Sequence, residues 1–262
     1  MSEDRPPISC YIRTFNEQRN IERCILAAEA VASEVVIVDS GSTDETVEIA
    51  KRLGARVFSQ AWLGNGHQKR FAEDKCSNDW LLDLDADEVI TAALATEIRA
   101  LVKNTSPPTS IYAPPLVLVS PAGVRFETFA VAWRNKLYDR RVVRAPAHRA
   151  WDQFTIPAGV EVRQLTHAID HYAYRDLAHL LDKQNKVSSA RARETALPSL
   201  WSIKARIVFC LPLYFLKHYL LRGYFRGGVE GFALAAILSF GRWLRDVKRY
   251  ERYQATQSAS PK

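Results

Sequence analysis

The chain has 262 residues, 47% of them hydrophobic and 25% charged, which describes a folded protein of one large domain or one domain with an appendage and excludes wholesale disorder. Its four cysteines are scattered with no C-x-x-C pair, so neither a disulfide framework nor a zinc knuckle is expected, and a reducing compartment fits. The formal net charge of +7 is uneven: residues 1–182 hold 21 Lys+Arg against 25 Asp+Glu, whereas residues 183–262 hold 15 against 4. The N-terminal MSEDRPP carries acids and prolines where a secretory signal carries basic residues and then an apolar core, so a cytoplasmic location is expected.

From Ile8 to about Lys103, short apolar runs alternate with amphipathic stretches, the pattern of βαβ units that build a parallel sheet. Strands are predicted over Ile8–Ile12, Glu34–Asp39, Ala55–Phe58 and Trp80–Asp85. Helices are predicted over Asn20–Ala32, residues 43–53, Asn65–Lys75 and Ala92–Lys103. For the helix of residues 43–53, Ser42 and Glu45 have the spacing of a capping box, and Gly54 stands where a helix terminates in the left-handed region. After the polar, proline-bearing Asn104–Pro108 the pattern turns β-like around Ile111–Val119, Val124–Val131 and Lys136–Val143. Helical periodicity returns from Arg175 to about Ala196. Pro198 then breaks the chain ahead of two apolar, aromatic stretches, Trp201–Leu221 and Val229–Leu244.

Ligands of an open parallel sheet bind beyond the carboxyl ends of its strands, so polar residues there are the candidate site. The first strand runs into Arg13-Thr14-Phe15-Asn16-Glu17 and the second into Asp39-Ser40-Gly41-Ser42-Thr43-Asp44. A carboxylate beside a helix N-terminus suits a nucleoside and its charged neighbours, although Asp39 and Asp44 could equally cap and turn the chain. The fourth strand ends in Leu81-Leu82-Asp83-Leu84-Asp85-Ala86-Asp87-Glu88. Residues two apart in an extended segment face the same way, so Asp83, Asp85 and Asp87 share one face. Crowded carboxylates repel unless a cation sits among them, and hard oxygen ligands favour Mg²⁺ or Mn²⁺, which also binds a nucleotide diphosphate.

The segments ISCYIRTFNEQRNIERCI, VVIVDSGSTDETVEIAKRLGARVF, WLGNGHQKRFA, NDWLLDLDADEVI and HYAYRDLAHLLDKQNKVSSARA follow one another as in the family 2 glycosyltransferases of GT-A fold. The chain most resembles the branch that adds a hexose, often glucose, to the inner core of lipopolysaccharide. The resemblance implies an α/β, Rossmann-like GT-A catalytic domain over 1–174, with a nucleotide-binding half 1–104 and an acceptor half 105–174. A helical, membrane-associating extension over 175–253 and a flexible tail over 254–262 complete that division. It further implies that Thr14 and Glu17 line the nucleotide pocket, that Asp39 accepts from the uracil of a UDP-sugar, and that Lys69 lies near the nucleotide or its diphosphate. Asp85 and Asp87 occupy the D-x-D, with Asp87 the more direct metal ligand and Asp85 nearer the ribose. The metal, Mg²⁺ or Mn²⁺, stabilises charge on the departing UDP.

An inverting transferase needs a base for the acceptor hydroxyl. Relatives carry V-H-E where this chain reads Ala150-Trp151-Asp152-Gln153-Phe154. Asp152 is the expected base because its carboxylate takes up a proton and the Gln153 amide does not; Glu127 and Asp170 are reserves. His167, His171, Tyr172 and Tyr174 match the family's H-Y-S-Y and are expected in a structural or acceptor-side role, without metal ligation.

Neither C-terminal apolar stretch supplies the roughly 20 uninterrupted residues of a bilayer span. Trp201, Tyr214, Tyr219, Tyr224, Phe225 and Trp243 among Lys204, Arg206, Lys217, Arg222, Arg226 and Arg242 suit helices lying on an anionic membrane, and packing as ordinary core helices is the competing reading. The expected partners are a UDP-hexose donor, a lipid-linked or lipopolysaccharide-core acceptor and an anionic membrane surface, at the cytoplasmic face of a bacterial inner membrane and with no nucleic acid. Two other functions fit the same residues: a transferase-like protein that has lost catalysis, given the changed base region, and a basic nucleic-acid module, against which the long aliphatic runs argue.

Overall fold

The computed structural model describes residues 6–103, 110–127, 132–149, 151–194 and 197–258. The chain divides into two compact units, one of residues 1–117 and 132–172, the other of residues 118–131 and 173–262.

The first unit is built on strands β1 (Ile8–Thr14), β2 (Glu34–Asp39), β3 (Arg56–Ser59) and β4 (Trp80–Asp85), separated by helices α1 (Ile21–Ala28), α2 (Thr46–Arg52) and α3 (Asn65–Lys75). After β4 come β5 (Glu88–Ile90), α4 (Ala92–Lys103), β6 (Ser110–Ala113) and β7 (Pro115–Val119). The chain continues through β8 (Arg125–Phe126), β9 (Ala132–Trp133), β10 (Leu137–Asp139), β11 (Glu161–Gln164) and β12 (Ile169–His171). The seven-stranded sheet has the order β11-β6-β10-β4-β1-β2-β3. Its β4-β1-β2-β3 core is parallel, as the βαβ pattern predicts, and β10 inserts antiparallel to both β4 and β6. Small antiparallel pairs, β5 with β12 and β7 with β9, complete the unit.

Both faces of the sheet are covered, so its central strands read as continuous apolar runs. Ile8, Cys10 and Ile12 of β1 and Leu82 and Leu84 of β4 pack with Ile21, Ile25, Ile49, Leu94 and Ile98 from α1, α2 and α4. Residues of the other parity, Tyr11, Val36, Val38 and Leu81, pack with Ala72 of α3 and with Tyr138. Parity therefore sends Asp83 and Asp85 to the α3 face, along with Arg13.

The predicted bounds of β2, β4, α3 and α4 coincide with those observed. The cap of α2 differs from expectation. The helix begins at Thr46, three residues later than expected, and its N-cap residue Glu45 makes no side-chain cap bond; Asp44 accepts the Thr46 N–H, while Ser42 bonds Asp39 and the Asn16 N–H in the preceding loop. Gly54 does close α2 in the left-handed region, with φ of 81°. The β-like stretch Val124–Val131 is a strand only at Arg125–Phe126, and its residues 128–131 lie outside the described residues, as does Asn104–Pro108.

In the second unit β8 pairs with Leu118 and Val119 of β7. Three helices follow, α5 (Leu177–Glu194), α6 (Leu200–Leu216) and α7 (Gly228–Ser258), with one π turn and one 3₁₀ turn between α6 and α7. Phe126, Tyr174, Leu180, Tyr224, Leu234 and Ala235 form its core. A side chain at Gly231 would place Cβ 1.8 Å from the Tyr224 carbonyl oxygen, so only glycine lets α7 approach that turn. Ser199 caps α6 as its hydroxyl accepts the Ser202 N–H. Residues 254–258 continue α7, and residues 259–262 lie outside the described residues. Among the described residues no helix is long and apolar enough to cross a membrane.

Candidate active site

The loops after β1 and β2 hold each other in place. Asn16 adopts φ of 55°, a conformation asparagine tolerates, and its side-chain oxygen accepts the Thr43 N–H at 2.8 Å while its own N–H donates to Ser42 Oγ at 2.8 Å. The Glu17 N–H donates to Thr46 Oγ1, and Gln18 and Glu45 bond across the same gap. Thr14 and Asp39, opposite one another in register at the ends of β1 and β2, are both buried. The Asp39 carboxylate accepts the Gly41 and Ser42 N–H groups at 2.9 Å and the Ser42 hydroxyl, so it shapes this loop. Glu17 accepts from the Asn20 amide. The buried Thr14 hydroxyl has no hydrogen-bond partner among the described residues.

At the end of β4 lies a charge cluster. Arg13 stands opposite Asp85 in register and its guanidinium pairs with that carboxylate. Lys69, brought in by α3, puts Nζ 2.6 Å from Asp83 Oδ2 and 3.2 Å from Asp152 Oδ2. Lys136, just before β10, puts Nζ 2.5 Å from Glu88 Oε2 and 3.9 Å from Asp85 Oδ2. Glu88 also accepts the Asp85 N–H. Although burial disfavours its charge, Asp85 is held well below the usual carboxylate range by Arg13, Lys136 and Lys69. Burial likewise opposes the charge on Lys136, and Glu88, Asp83 and Asp85 more than restore it.

Asp152 reaches this cluster because its segment lies across the start of α3. The Asn65 and Gly66 N–H groups donate to the Arg149 and His148 carbonyls at 3.1 Å, so backbone replaces solvent at that helix terminus. A Cβ at Gly66 would sit 2.3 Å from the Pro146 oxygen and 2.4 Å from the Trp151 oxygen. Burial raises the Asp152 pKa, but Lys69 and the Gln153 amide together hold it below the ordinary carboxylate value.

Asp87 lies in the tight turn between β4 and β5, beyond the strand itself. His171 of β12 brings Nε2 to 3.3 Å from Asp87 Oδ2, and the Tyr172 N–H donates to the Asp87 carbonyl. His167 instead bonds Glu97 of α4 at 2.9 Å. His167, before β12, and His171, at its end, thus bond to different acids. Asp170 sits on β12 opposite Val89, and Glu127 belongs to the second unit.

Of the residues singled out in the sequence, Lys69, Asp83, Asp85 and Asp152 lie in one charge cluster with Arg13, Glu88 and Lys136, whereas Asp87 pairs with His171 in the adjoining turn. Arg13 was legible as a charge at the end of an apolar strand. Lys136 was not, because its neighbours come from strands distant in sequence. Five carboxylates against three cations leave a negative excess that a divalent cation fits, with Asp87 and Asp85 as oxygen donors and His171 beside them. Among the described residues no three His, Cys, Asp or Glu side chains converge as a complete cage, and Mg²⁺ in particular takes its remaining ligands from water and phosphates.

The model of the family described as glycosyl transferase family 2 matches residues 9–116, which run from within β1 into β7 and include all three strand ends singled out above. An uncharacterized glycosyltransferase of Rickettsia bellii is 32% identical over 256 residues, covering 93% of this chain and 86% of its own. The lipopolysaccharide core biosynthesis glycosyltransferase LpsC of Rhizobium meliloti is 27% identical, covering 94% of this chain and 93% of its own. Among solved structures, the mannosyltransferase PcManGT of Pyrobaculum calidifontis aligns over 95% of this chain and 88% of its own at 14% identity, with a TM-score of 0.48. With a doubly wound α/β unit and a helical C-terminal region, the chain belongs to the family 2 glycosyltransferases and is a glycosyltransferase enzyme.

Proposed function

We propose that this enzyme moves a hexose, glucose in the first instance, from a UDP-sugar to a lipopolysaccharide-core or other lipid-linked acceptor, with inversion, at the cytoplasmic face of a bacterial inner membrane. The observation that carries the reading is the charge cluster at the ends of β1 and β4, where a negative excess stands beside a carboxylate kept ionised by Lys69. The acceptor class is supported by the similarity to LpsC along nearly the whole of both chains.

In this reading Thr14, Glu17 and Asp39 hold the nucleoside. A divalent cation, Mg²⁺ or Mn²⁺, would be held by Asp87 and Asp85 and would supply positive charge to the departing diphosphate. Arg13 and Lys136 hold the Asp85 carboxylate in one orientation at the end of β4. Asp152 takes the proton of the acceptor hydroxyl as its oxygen bonds to the anomeric carbon, and the electron pair of the breaking bond leaves with UDP. Lys69 orients Asp152 through the 3.2 Å ion pair and keeps it deprotonated until the acceptor arrives.

A second reading, a transferase-like protein that binds donor without turnover, is favoured by the internal pairing of both Asp85 with Arg13 and Asp152 with Lys69. Incubation of the full chain with UDP-glucose, Mn²⁺ and a lipopolysaccharide-core acceptor separates the two. The transferase reading expects UDP release that excess chelator stops, and a loss of at least about 10³-fold in kcat for Asp87→Ala, or about 4 kcal/mol. Unchanged turnover in Asp87→Ala would sink it, and donor binding without release supports the second reading.

A further inference from the structure

The segment that carries Asp152 to the charge cluster also carries Trp151, and the two side chains behave oppositely. Asp152 pairs with the buried Lys69, whereas Trp151 is 62% exposed. The backbone of Trp151 is nonetheless held at both ends. Its N–H donates to His148 Nδ1 at 2.9 Å, and its carbonyl oxygen lies against Gly66 at the start of α3. Two residues earlier the chain crosses Gly64, where a Cβ would sit 2.0 Å from the Arg149 carbonyl oxygen, so only bare backbone fits. Trp62 and Leu63, which lead into that crossing, are 57% and 53% exposed. Single exposed apolar side chains are common on any surface, but here three stand about one clamped crossing at the carboxyl end of the sheet.

What covers the indole is constrained by its neighbour. Consecutive Cα atoms lie about 3.8 Å apart, less than the breadth of a sugar ring, so a molecule that brings a hydroxyl to Asp152 comes within reach of Trp151. A protein seated permanently on Trp151 would close off Asp152, whose side chain is 27% exposed. A pyranose has an apolar face of C–H groups and a rim of hydroxyls. Laid flat on an indole it buries that face and keeps the hydroxyls free to hydrogen-bond, which avoids the cost of desolvating them. Tryptophan offers a broad face at little cost in side-chain entropy, because only two χ angles become fixed.

We propose that Trp151 is an acceptor-binding residue: the sugar that receives the hexose stacks its C–H face on the indole, and this brings its reacting hydroxyl to Asp152. This rests on the transferase reading above and deepens it by naming a residue that recognises the acceptor ring. Because the segment is already clamped on α3, the platform is formed before the acceptor arrives, and little ordering is needed on binding.

The test titrates deacylated lipopolysaccharide-core oligosaccharide into the full chain, with UDP and Mn²⁺ present so that the donor site is filled and no sugar can transfer. Calorimetry reads the affinity, and tryptophan emission reports whether an indole is covered. The wild type should bind, with a change in emission. Trp151→Ala should bind at least about tenfold more weakly and lose most of the emission change, whereas Trp151→Phe, which keeps a ring to stack on, should stay within about threefold of the wild-type affinity. Trp201→Ala removes an exposed indole from the second unit and should match the wild type in both readouts. UDP binding and melting temperature in Trp151→Ala should equal those of the wild type, since the lost side chain is exposed. The two readings fail separately. Oligosaccharide binding that depends on Trp151 without UDP release from UDP-glucose counts against turnover alone, and turnover with an unchanged acceptor KM in Trp151→Ala counts against the stacking role alone. No oligosaccharide binding to the wild type, wild-type affinity in Trp151→Ala, a Trp151→Phe variant as weak as Trp151→Ala, or an equal loss in Trp201→Ala would each overturn the proposal.

Discussion

The two faces of the parallel sheet are made from alternate residues of the same strands and serve different ends. On the α1, α2 and α4 side, Ile8, Cys10, Ile12, Leu82 and Leu84 bury only apolar surface. On the α3 side the same strands present Tyr11, Arg13, Asp83 and Asp85. There the Tyr138 hydroxyl joins the Tyr11 hydroxyl at 2.7 Å and Glu73 at 2.7 Å, and Lys69 pairs with Asp83. Burial pushes the Glu73 carboxyl up, and it also pushes the two phenols far above their ordinary range, so both tyrosines stay neutral. Buried charge seldom improves stability over a well-packed apolar equivalent. Its concentration on one face therefore points to chemistry, and the other face supplies the stability that chemistry draws on.

The comparison can be broken most severely at Lys69. Lys69→Met should leave Asp83 buried without its cation, cost about 3–5 kcal/mol of stability and also lower turnover through Asp152. Adding Asp83→Asn should recover much of the stability without recovering turnover. Denaturant titration and UDP-release assays read the two effects separately, and a stable, fully active Lys69→Met would refute the division between faces.

On the apolar face Leu82→Ala should cost about 2–5 kcal/mol as a cavity forms, with kcat unchanged in the protein that remains folded. A fall in kcat comparable to that of Lys69→Met would show that this face also serves the chemistry. Tyr138→Phe should cost about 1–2 kcal/mol, since it leaves Glu73 one donor short while the ring still packs against Phe154.

The smallest effect concerns pH. Because Asp152 titrates below the ordinary carboxylate value, the base remains ionised as pH falls through that value, and the acidic limb of kcat/KM lies below it. Lys69→Met should move that limb upward. The same sign holds for stability: what the ion pair contributes is present above the unfolded pKa and is lost as pH falls through the lowered one, though partial exposure keeps the amount small. An acidic limb near neutrality would remove Asp152 from the role of base.

The parallel sheet and the alternation of its elements were readable because short apolar runs, Val35–Val38 of β2 among them, alternate with amphipathic stretches. The start of α2 was not readable from Ser42 and Glu45, because contacts from Asp39 and Asn16 across the loop hold Ser42 and Thr43 outside the helix, which begins at Thr46. The acidic motif and Lys69 were visible as candidates, but their pairing was not. Nothing in the spacing of Arg13, Lys136 or His171 shows that β1, β10 and β12 deliver them to Asp85, Glu88 and Asp87.

Composition and periodicity by themselves determined the alternating α/β pattern, the strand ends at which polar residues gather, and the basic, aromatic C-terminal region, because each depends on residues close along the chain. Only the tertiary structure decided which acid meets which cation, that Asp152 lies against Lys69 and His171 against Asp87, and that α6 leaves an apolar side uncovered. Those outcomes depend on strand register and on which of two faces a side chain enters, and register is settled by the packing of the whole sheet.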